Sequence, residues 1–279
     1  MDSKKYGKTT LKTAENGVKF LTFDIFDNAG LVHGFSTRYG GVSTGIYERM
    51  NLSFHRGDDF ENVLENHRLF AEAVGYDYKK TVFSDQIHET KIAKVTYEDI
   101  GHGMKGEKGI PGMDGLVTDI PGIPLMTFYA DCVPLLFYDP VKKVIGAAHS
   151  GWRGTVAGMG QAMVEYMKSN MGCNAEDILV VIGPSICKEC YEVSEEVAEQ
   201  FRNNFPENEH DDIIFPNSDK KGSYQLDLWE ANRHILLRAG VLEQHIQLPD
   251  LCTAHYPEML ISHRKTGGKR GNMAAVIML

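Results

Sequence analysis

Three short segments carry side chains able to do chemistry: Ser84-Asp85-Gln86-Ile87-His88, Tyr129-Ala130-Asp131-Cys132-Val133-Pro134 and Ala147-Ala148-His149-Ser150-Gly151-Trp152-Arg153-Gly154. In the last two a hydrophobic run breaks into polar, reactive residues, and such breaks are where active-site groups are commonly displayed. Two chemistries compete for His88, Cys132 and His149. In the first they ligate zinc, because imidazole and thiolate are both good zinc donors, and three protein ligands leave a fourth position open. In the second Cys132 is a nucleophile and His149 its base. The bland reading is a buried cysteine and two satisfied histidines. Spacing alone does not choose among these.

The elements that must position these residues are legible in the pattern around them. Phe60, Val63, Leu64, His67, Phe70, Ala71 and Val74 recur at helical spacing after Asp58-Asp59, with Gly75 as a stop. Val156, Met159, Met163, Val164 and Met167 mark a second helix ending at Gly172. Ser194 opens a third helix, with Val197, Ala198 and Phe201 inward. Asp227 and Glu230 resemble a capping box opening a fourth, stopped by Gly240. Strand-like runs lie at 18–23, 31–35, 125–130, 144–148, 178–182 and 273–278. The glycine-rich stretch 101–112 reads as a loop, and the polar stretch 206–223 as a surface bulge. Helices and strands are interleaved without strict alternation, which points to a mixed α/β or α+β fold. No glycine-rich nucleotide fingerprint follows a strand.

Composition narrows the classes further. The chain has 279 residues, 42% hydrophobic and 24% charged, with a net charge of −9. These are values of a soluble globular protein, and the length supports a sizeable core. No apolar run approaches a membrane span. The polar start after Met1 lacks a signal core, and the 5 cysteines are odd in number and dispersed; both favour the cytoplasm. The acidic balance argues against nucleic-acid binding. Cys187-Lys188-Glu189-Cys190 is a lone CxxC, expected to be structural or incidental, since neither Cys173 nor Cys252 supplies the second pair of a zinc ribbon. His67 is expected in the core or an interface. One segment runs against the overall charge: His263-Arg264-Lys265-Thr266-Gly267-Gly268-Lys269-Arg270 is basic.

Many collinear motifs run through the chain: Thr37-Arg38-Tyr39-Gly40-Gly41-Val42-Ser43, Asn51-Leu52, Gln86-Ile87-His88, Met113-Asp114-Gly115-Leu116-Val117-Thr118, Ala130-Asp131-Cys132-Val133-Pro134-Leu135-Leu136, His149-Ser150-Gly151-Trp152-Arg153-Gly154, Gly183-Pro184-Ser185-Ile186, Tyr191-Glu192-Val193, Leu226-Asp227-Leu228 and Cys252-Thr253. In these the sequence resembles the YfiH/YlmD family, also called the laccase-domain or multicopper polyphenol oxidase family. The resemblance implies a layered α/β/β/α sandwich with mixed sheets, a single catalytic domain over 1–279, and a metal site of His88, Cys132 and His149. It implies a purine nucleoside phosphorylase acting on adenosine, inosine, guanosine and S-methyl-5'-thioadenosine, with adenosine deaminase activity. The partners are then purine nucleosides and phosphate. The older family name implies copper-dependent phenol oxidation. That ranks lower, because a multicopper oxidase feeds a trinuclear cluster with many histidines, and this chain has 11 histidines without one His-x-His pair. Structural kinship to a toxin domain that hydrolyses with a Cys-His pair keeps the nucleophile reading open. So does a non-enzymatic role as a metal-binding accessory protein.

Roles follow from the chemistry phosphorolysis requires. Arg38, Arg153 and Arg264 are candidates for gripping phosphate, since guanidinium forks match its oxygens; Gln86 joins them as a substrate contact. Gly40, Gly41 and Gly151 would allow close backbone approach. Asp131 is a candidate general acid or base, in a catalytic set with Cys132 and His149. Alternatively, it orients a ligating histidine. Phe35, Tyr39 and Trp152 are candidates for stacking on a purine. In the family, the basic segment carries Arg-Arg-Asp and then a Gly-Lys-Thr-Gly-Arg-like run. Here Arg264 is kept, while Thr266 replaces the acid and Asn272 the final arginine.

Overall fold

The computed structural model describes residues 2–218 and 220–279. A seven-stranded sheet runs in the spatial order Asp2–Tyr6, Thr9–Thr13, Lys19–Phe23, Val32–Ser36, Met273–Met278, Leu125–Tyr129 and Val82–Phe83. Its pairs are antiparallel except the last, which is parallel. A six-stranded sheet runs Ile246–Gln247, Leu179–Ile182, Val133–Asp139, Val144–Ser150, Gly115–Thr118 and Ile92–Lys94, antiparallel in the middle and parallel at both edges. A small third sheet joins Glu192–Ser194, Ser223–Leu226 and Ile214–Pro216.

Strand alternation divides the core into three layers. Leu21, Phe23, Leu125, Tyr129, Ala275 and Ile277 face Leu136, Tyr138, Ile145, Ala147 and Val181 across the gap between the two large sheets. The intervening positions Phe20, Met126, Ala274 and Val276 pack with Phe70 of helix Phe60–Val74. On the far side Leu135, Phe137, Val144, Ala148 and Val180 pack under Met159, Met163, Met167, Ile235 and Leu236. With period two, each strand serves two layers at once. The result is the expected α/β/β/α sandwich.

Local chemistry accounts for the boundaries. Asp59 accepts a hydrogen bond from the Asn62 amide at the start of helix Phe60–Val74, and Gly75, at φ 99°, ends it. Asp227 accepts from the amides of Trp229 and Glu230 to open Leu228–Arg238. The box is not reciprocal, because Glu230 pairs with Arg233. The second expected helix is two, Trp152–Val156 and Met159–Met171, parted by Gly158 at φ 80°. The stretch 206–223 is more than a bulge: it contains helix His210–Ile213 and strand Ile214–Pro216, with Ile213 and Ile214 buried. No described helix is long and apolar enough to cross a membrane.

Candidate metal centre and its cavities

His88, Cys132 and His149 converge from three elements at one end of the two sheets. Their ligand atoms all lie within 4.8 Å of one another. His149 is the inward position after Ile145 and Ala147, on strand Val144–Ser150, which is paired to the strand that follows Cys132. Cys132 lies in the three-residue crossing from Leu125–Tyr129 in one sheet to Val133–Asp139 in the other. His88 stands on the turn after Val82–Phe83. Two residues here are non-glycines in left-handed conformation, His88 at φ 64° and Asp131 at φ 85°. Such backbone is costly and tends to persist at functional sites.

Asp114 ties the centre together. One oxygen accepts from the His149 ring at 2.8 Å and from the His88 amide at 3.1 Å; the other accepts from the amides of Ile87 and Glu89 at 2.9 and 3.0 Å. Both Asp114 and His149 are buried. Burial alone would raise the Asp114 pKa, but the His149 bond and the turn amides outweigh it and hold the carboxyl below its usual range. Burial also opposes protonation of His149, yet the neighbouring Cys132 and Asp114 raise it to about 9. A buried site that draws a histidine this high favours positive charge, a proton or a cation. Because Nδ1 of His149 faces Asp114, Nε2 is the ring nitrogen left for a ligand, the arrangement found behind metal-bound histidines. Gly151 completes the cradle. A Cβ there would stand 2.9 Å from His88 Nδ1 and 3.2 Å from Cys132 Sγ. The donor set and this clearance fit a metal ion held by two imidazoles and a thiolate, with room for a fourth ligand.

Two cavities open on this centre. The larger, about 310 Å³, is lined by His88, Cys132 and His149 together with Arg56, Lys108, Arg270, Gln86 and Asn272, and by the rings of Phe54, Phe83 and Phe128. The smaller, about 100 Å³, meets His88, Asp131, Cys132, Trp152, Arg153 and Tyr191.

The expected contacts sort unevenly between them. Gln86 lines the larger cavity, but its amide is spent on both backbone groups of Phe128, at 2.8 and 2.7 Å. Arg153 lines the smaller cavity, stacked on Trp152 and in no ion pair among the described residues. Arg264 lies over Tyr191 and donates to the Glu192 carbonyl. Arg38 lines neither cavity; it donates to the Pro257 carbonyl. Asp131 accepts from Thr253 Oγ1 at 2.5 Å, Ser262 Oγ at 3.0 Å and the Arg264 amide at 2.7 Å, so its oxygens fasten the basic segment to the site. Phe35 is in the inter-sheet core, Tyr39 lies under Lys19 and Arg49, and Trp152 alone of the three stacking candidates borders a cavity.

Sequence reasoning missed two things here. Asp114 lies inside a quoted motif, yet nothing local marks it as the partner of a histidine 35 positions away. In the sequence Arg270 stands out only as part of a basic run. It lines the larger cavity, donates to the side chain of Asn272 and the carbonyl of Gly271, and keeps a buried Nε without a partner. Burial and the nearby Arg56 lower its pKa to about 10. The position where Asn272 departs from the family pattern thus holds an arginine two residues earlier.

Residues 32–279 match the family described as multi-copper polyphenol oxidoreductase laccase. The chain is 38% identical over 252 residues to "Purine nucleoside phosphorylase YlmD" of Bacillus subtilis, covering 90% of this chain and 89% of that protein. It is 34% identical to human "Purine nucleoside phosphorylase LACC1", over 98% of this chain and 59% of that one. Among solved structures, the Bacillus licheniformis protein YfiH superposes with a TM-score of 0.90 at 35% identity, covering 96% of this chain and 98% of that one. YlmD from Geobacillus stearothermophilus gives 0.88 at 36%, with the same coverage. The chain belongs to this laccase-domain family of YfiH and YlmD.

Proposed function

We propose that the protein is a zinc-dependent purine nucleoside phosphorylase, with residues 1–279 acting as one catalytic unit. The observation that carries this is the meeting of a His88–Cys132–His149 centre with a cavity lined by both cationic side chains and aromatic rings. The names of the relatives support the same reaction. Phosphorolysis joins phosphate to the ribose C1′ as the C1′–N9 bond breaks and the purine leaves with a proton; deamination of adenosine would instead need water to attack the purine C6 in the same site, with ammonia leaving. Adenosine, inosine, guanosine and S-methyl-5'-thioadenosine are the expected substrates.

A zinc ion at this centre would supply Lewis-acid charge to the oxygen nucleophile; copper would fit the same donors. His88, Cys132 and His149 serve as its ligands, and Asp114 fixes the His149 ring and the His88 turn. Arg270, with its unpartnered Nε, and Arg56 beside it receive the phosphate, since two uncompensated guanidinium groups in one cavity favour an anion between them. Asn272 orients Arg270. Phe128 and its ring neighbours Phe83 and Phe54 offer the apolar wall for a purine. Asp131 is a positioning residue in this reading, anchoring the segment that brings Arg270 to the larger cavity. Arg153 borders the smaller cavity as a second cationic contact, and Arg264 lies behind it over Tyr191.

One observation favours a second reading. Cys132, His149 and Asp114 stand in the order of a nucleophile, base and orienting acid, and the thiol raises the histidine. A Cys-His hydrolase would show the same features. Incubation with adenosine separates the two. A phosphorylase releases adenine only when phosphate is present, and Cys132→Ala removes both the activity and the metal of this centre. Full phosphorolysis by Cys132→Ala would overturn the metal reading. A metal-independent hydrolysis abolished by alkylating Cys132 would establish the hydrolase.

A further inference from the structure

On the far side of Asp131 from the ligating histidines lies a second group of metal-binding side chains. Cys187 precedes and Cys190 closes a single 3-10 turn, Lys188–Cys190, in which the Cys190 amide donates to the Cys187 carbonyl at 3.1 Å. Cys252 and His255 come from an irregular segment 65 residues on. The four ligand atoms all lie within 4.8 Å of one another. In sequence they read Cys187-x-x-Cys190 and Cys252-x-x-His255, the spacing of a Cys₃His zinc site. The CxxC that seemed to lack a second pair has one, with a histidine as its fourth member.

We infer that Cys187, Cys190, Cys252 and His255 bind a second, structural zinc ion. Zinc bonds of about 2.3 Å to sulfur and 2.0–2.1 Å to nitrogen put tetrahedral ligand atoms roughly 3.5–3.8 Å apart. Cys187 Sγ and His255 Nδ1 are already 3.8 Å apart. The Cys187 amide donates to Cys252 Sγ at 3.3 Å, the kind of outer bond that orients a metal thiolate. The two strips of backbone are laced in advance: Ser185 bridges to Cys252, and the Thr253 amide donates to the Ser185 carbonyl at 3.1 Å. All three cysteines are free, and no disulfide pairing could satisfy all three thiols at once. Four protein ligands make a closed site, in contrast to the three-ligand centre at His149.

The position suggests its use. The packing around the cluster is a small apolar island of Ile186, Cys187, Cys252 and Ala254, with Tyr191 and Trp229 against it. From the two strips held by the ion come Ile186 and Tyr191, which line the smaller cavity, and Thr253, which bonds to Asp131. The second ion therefore braces one wall of the active site without touching substrate. This inference does not depend on which reaction that site performs.

The test is metal analysis of the intact protein, purified under reducing conditions and also after stripping and reloading with zinc. Wild type should bind about two ions per chain. Cys132→Ala should bind one, and Cys252→Ser should bind one with the His88 centre still loaded. His255→Ala serves if Cys252→Ser fails to fold, because His255 is exposed. In the cobalt form, sulfur-to-metal charge transfer should fall by more than half in Cys190→Ser or His255→Ala if the second ion is lost, and by about a quarter in Cys132→Ala, which removes one thiolate of four. A wild type that binds a single ion, lost altogether in Cys132→Ala, would overturn the inference. So would a Cys187–Cys190 disulfide found by thiol titration of the protein isolated without oxidant.

Discussion

Asp114 never meets the cavities, yet it holds both histidines that do. Its three amide bonds bend the 87–89 turn so that His88 sits in a left-handed conformation, and its fourth bond sets the His149 ring. At this scale the coupling between proton and metal can be predicted. With the centre empty, His149 titrates near 9, so at pH 7 it carries a proton that a metal must displace. For this group the apparent affinity should rise about tenfold per pH unit from 7 towards 9 and then level off. Competition against a chelator at several pH values measures the slope; a flat profile would contradict the assignment. Gly151 supports a sharper test. Its φ of −69° suits any residue, so Gly151→Ala should fold normally. Its methyl would nonetheless fall against His88 Nδ1 and Cys132 Sγ. The expected outcome is an unchanged melting temperature for the metal-free protein, with metal affinity at this centre lowered by tenfold or more, seen by titration.

Helix Phe60–Val74 covers the seven-stranded sheet and carries His67 at full burial. The ring stacks against both Phe54 and Phe83, donates through Nε2 to the Leu52 carbonyl at 2.8 Å, and leaves Nδ1 with no partner. Burial lowers its pKa to about 4. In the unfolded chain it titrates near the usual value of about 6.5. The folded state therefore refuses a proton that the unfolded state accepts, and the stability this represents is present above pH 6.5 and lost as pH falls to 4. The loss is on the order of 3 kcal/mol. His33, also lowered by burial, acts in the same direction. In chelator, so that metal loss plays no part, the melting temperature should drop over this window more steeply for wild type than for His67→Gln. Equal slopes would remove His67 from the account. The same helix shows what a sequence discloses: an Asp cap, a repeating apolar face and a Gly stop are local signals, and they located its ends. Strand Val133–Asp139 is buried on both faces, so it has no alternation to read. The pairing of Cys252 with Cys187 and of Asp114 with His149 depends on chain segments far apart in sequence. Only the fold brings those together, although Cys252-x-x-His255 was there to be noticed.

At the scale of the whole molecule, the proposed reaction requires a chain of net charge −9 to admit phosphate to a cavity lined by Arg56, Lys108 and Arg270. Two electrostatic effects oppose each other, and their ranges decide the outcome. The diffuse negative field acts over distances that salt screens, with a Debye length of about 10 Å at 0.1 M. The arginines act at contact, where two unit charges at an effective dielectric of 20 interact by about 4 kcal/mol. The contact effect should therefore set affinity, and the field only the rate of approach. Glu176, Glu196, Glu207 and Asp211 are exposed, line neither cavity and form no ion pair among the described residues. Neutralising all four as amides should raise kcat/KM for phosphate by roughly two- to fourfold at low salt, and the gain should vanish near 0.5 M. Arg270→Gln should instead raise the phosphate KM by at least tenfold at every salt concentration, with nucleoside KM little changed. If the loss in Arg270→Gln faded with salt as the carboxylate gain does, Arg270 would belong to the diffuse field, and the anion would have to be held by Arg153 of the smaller cavity.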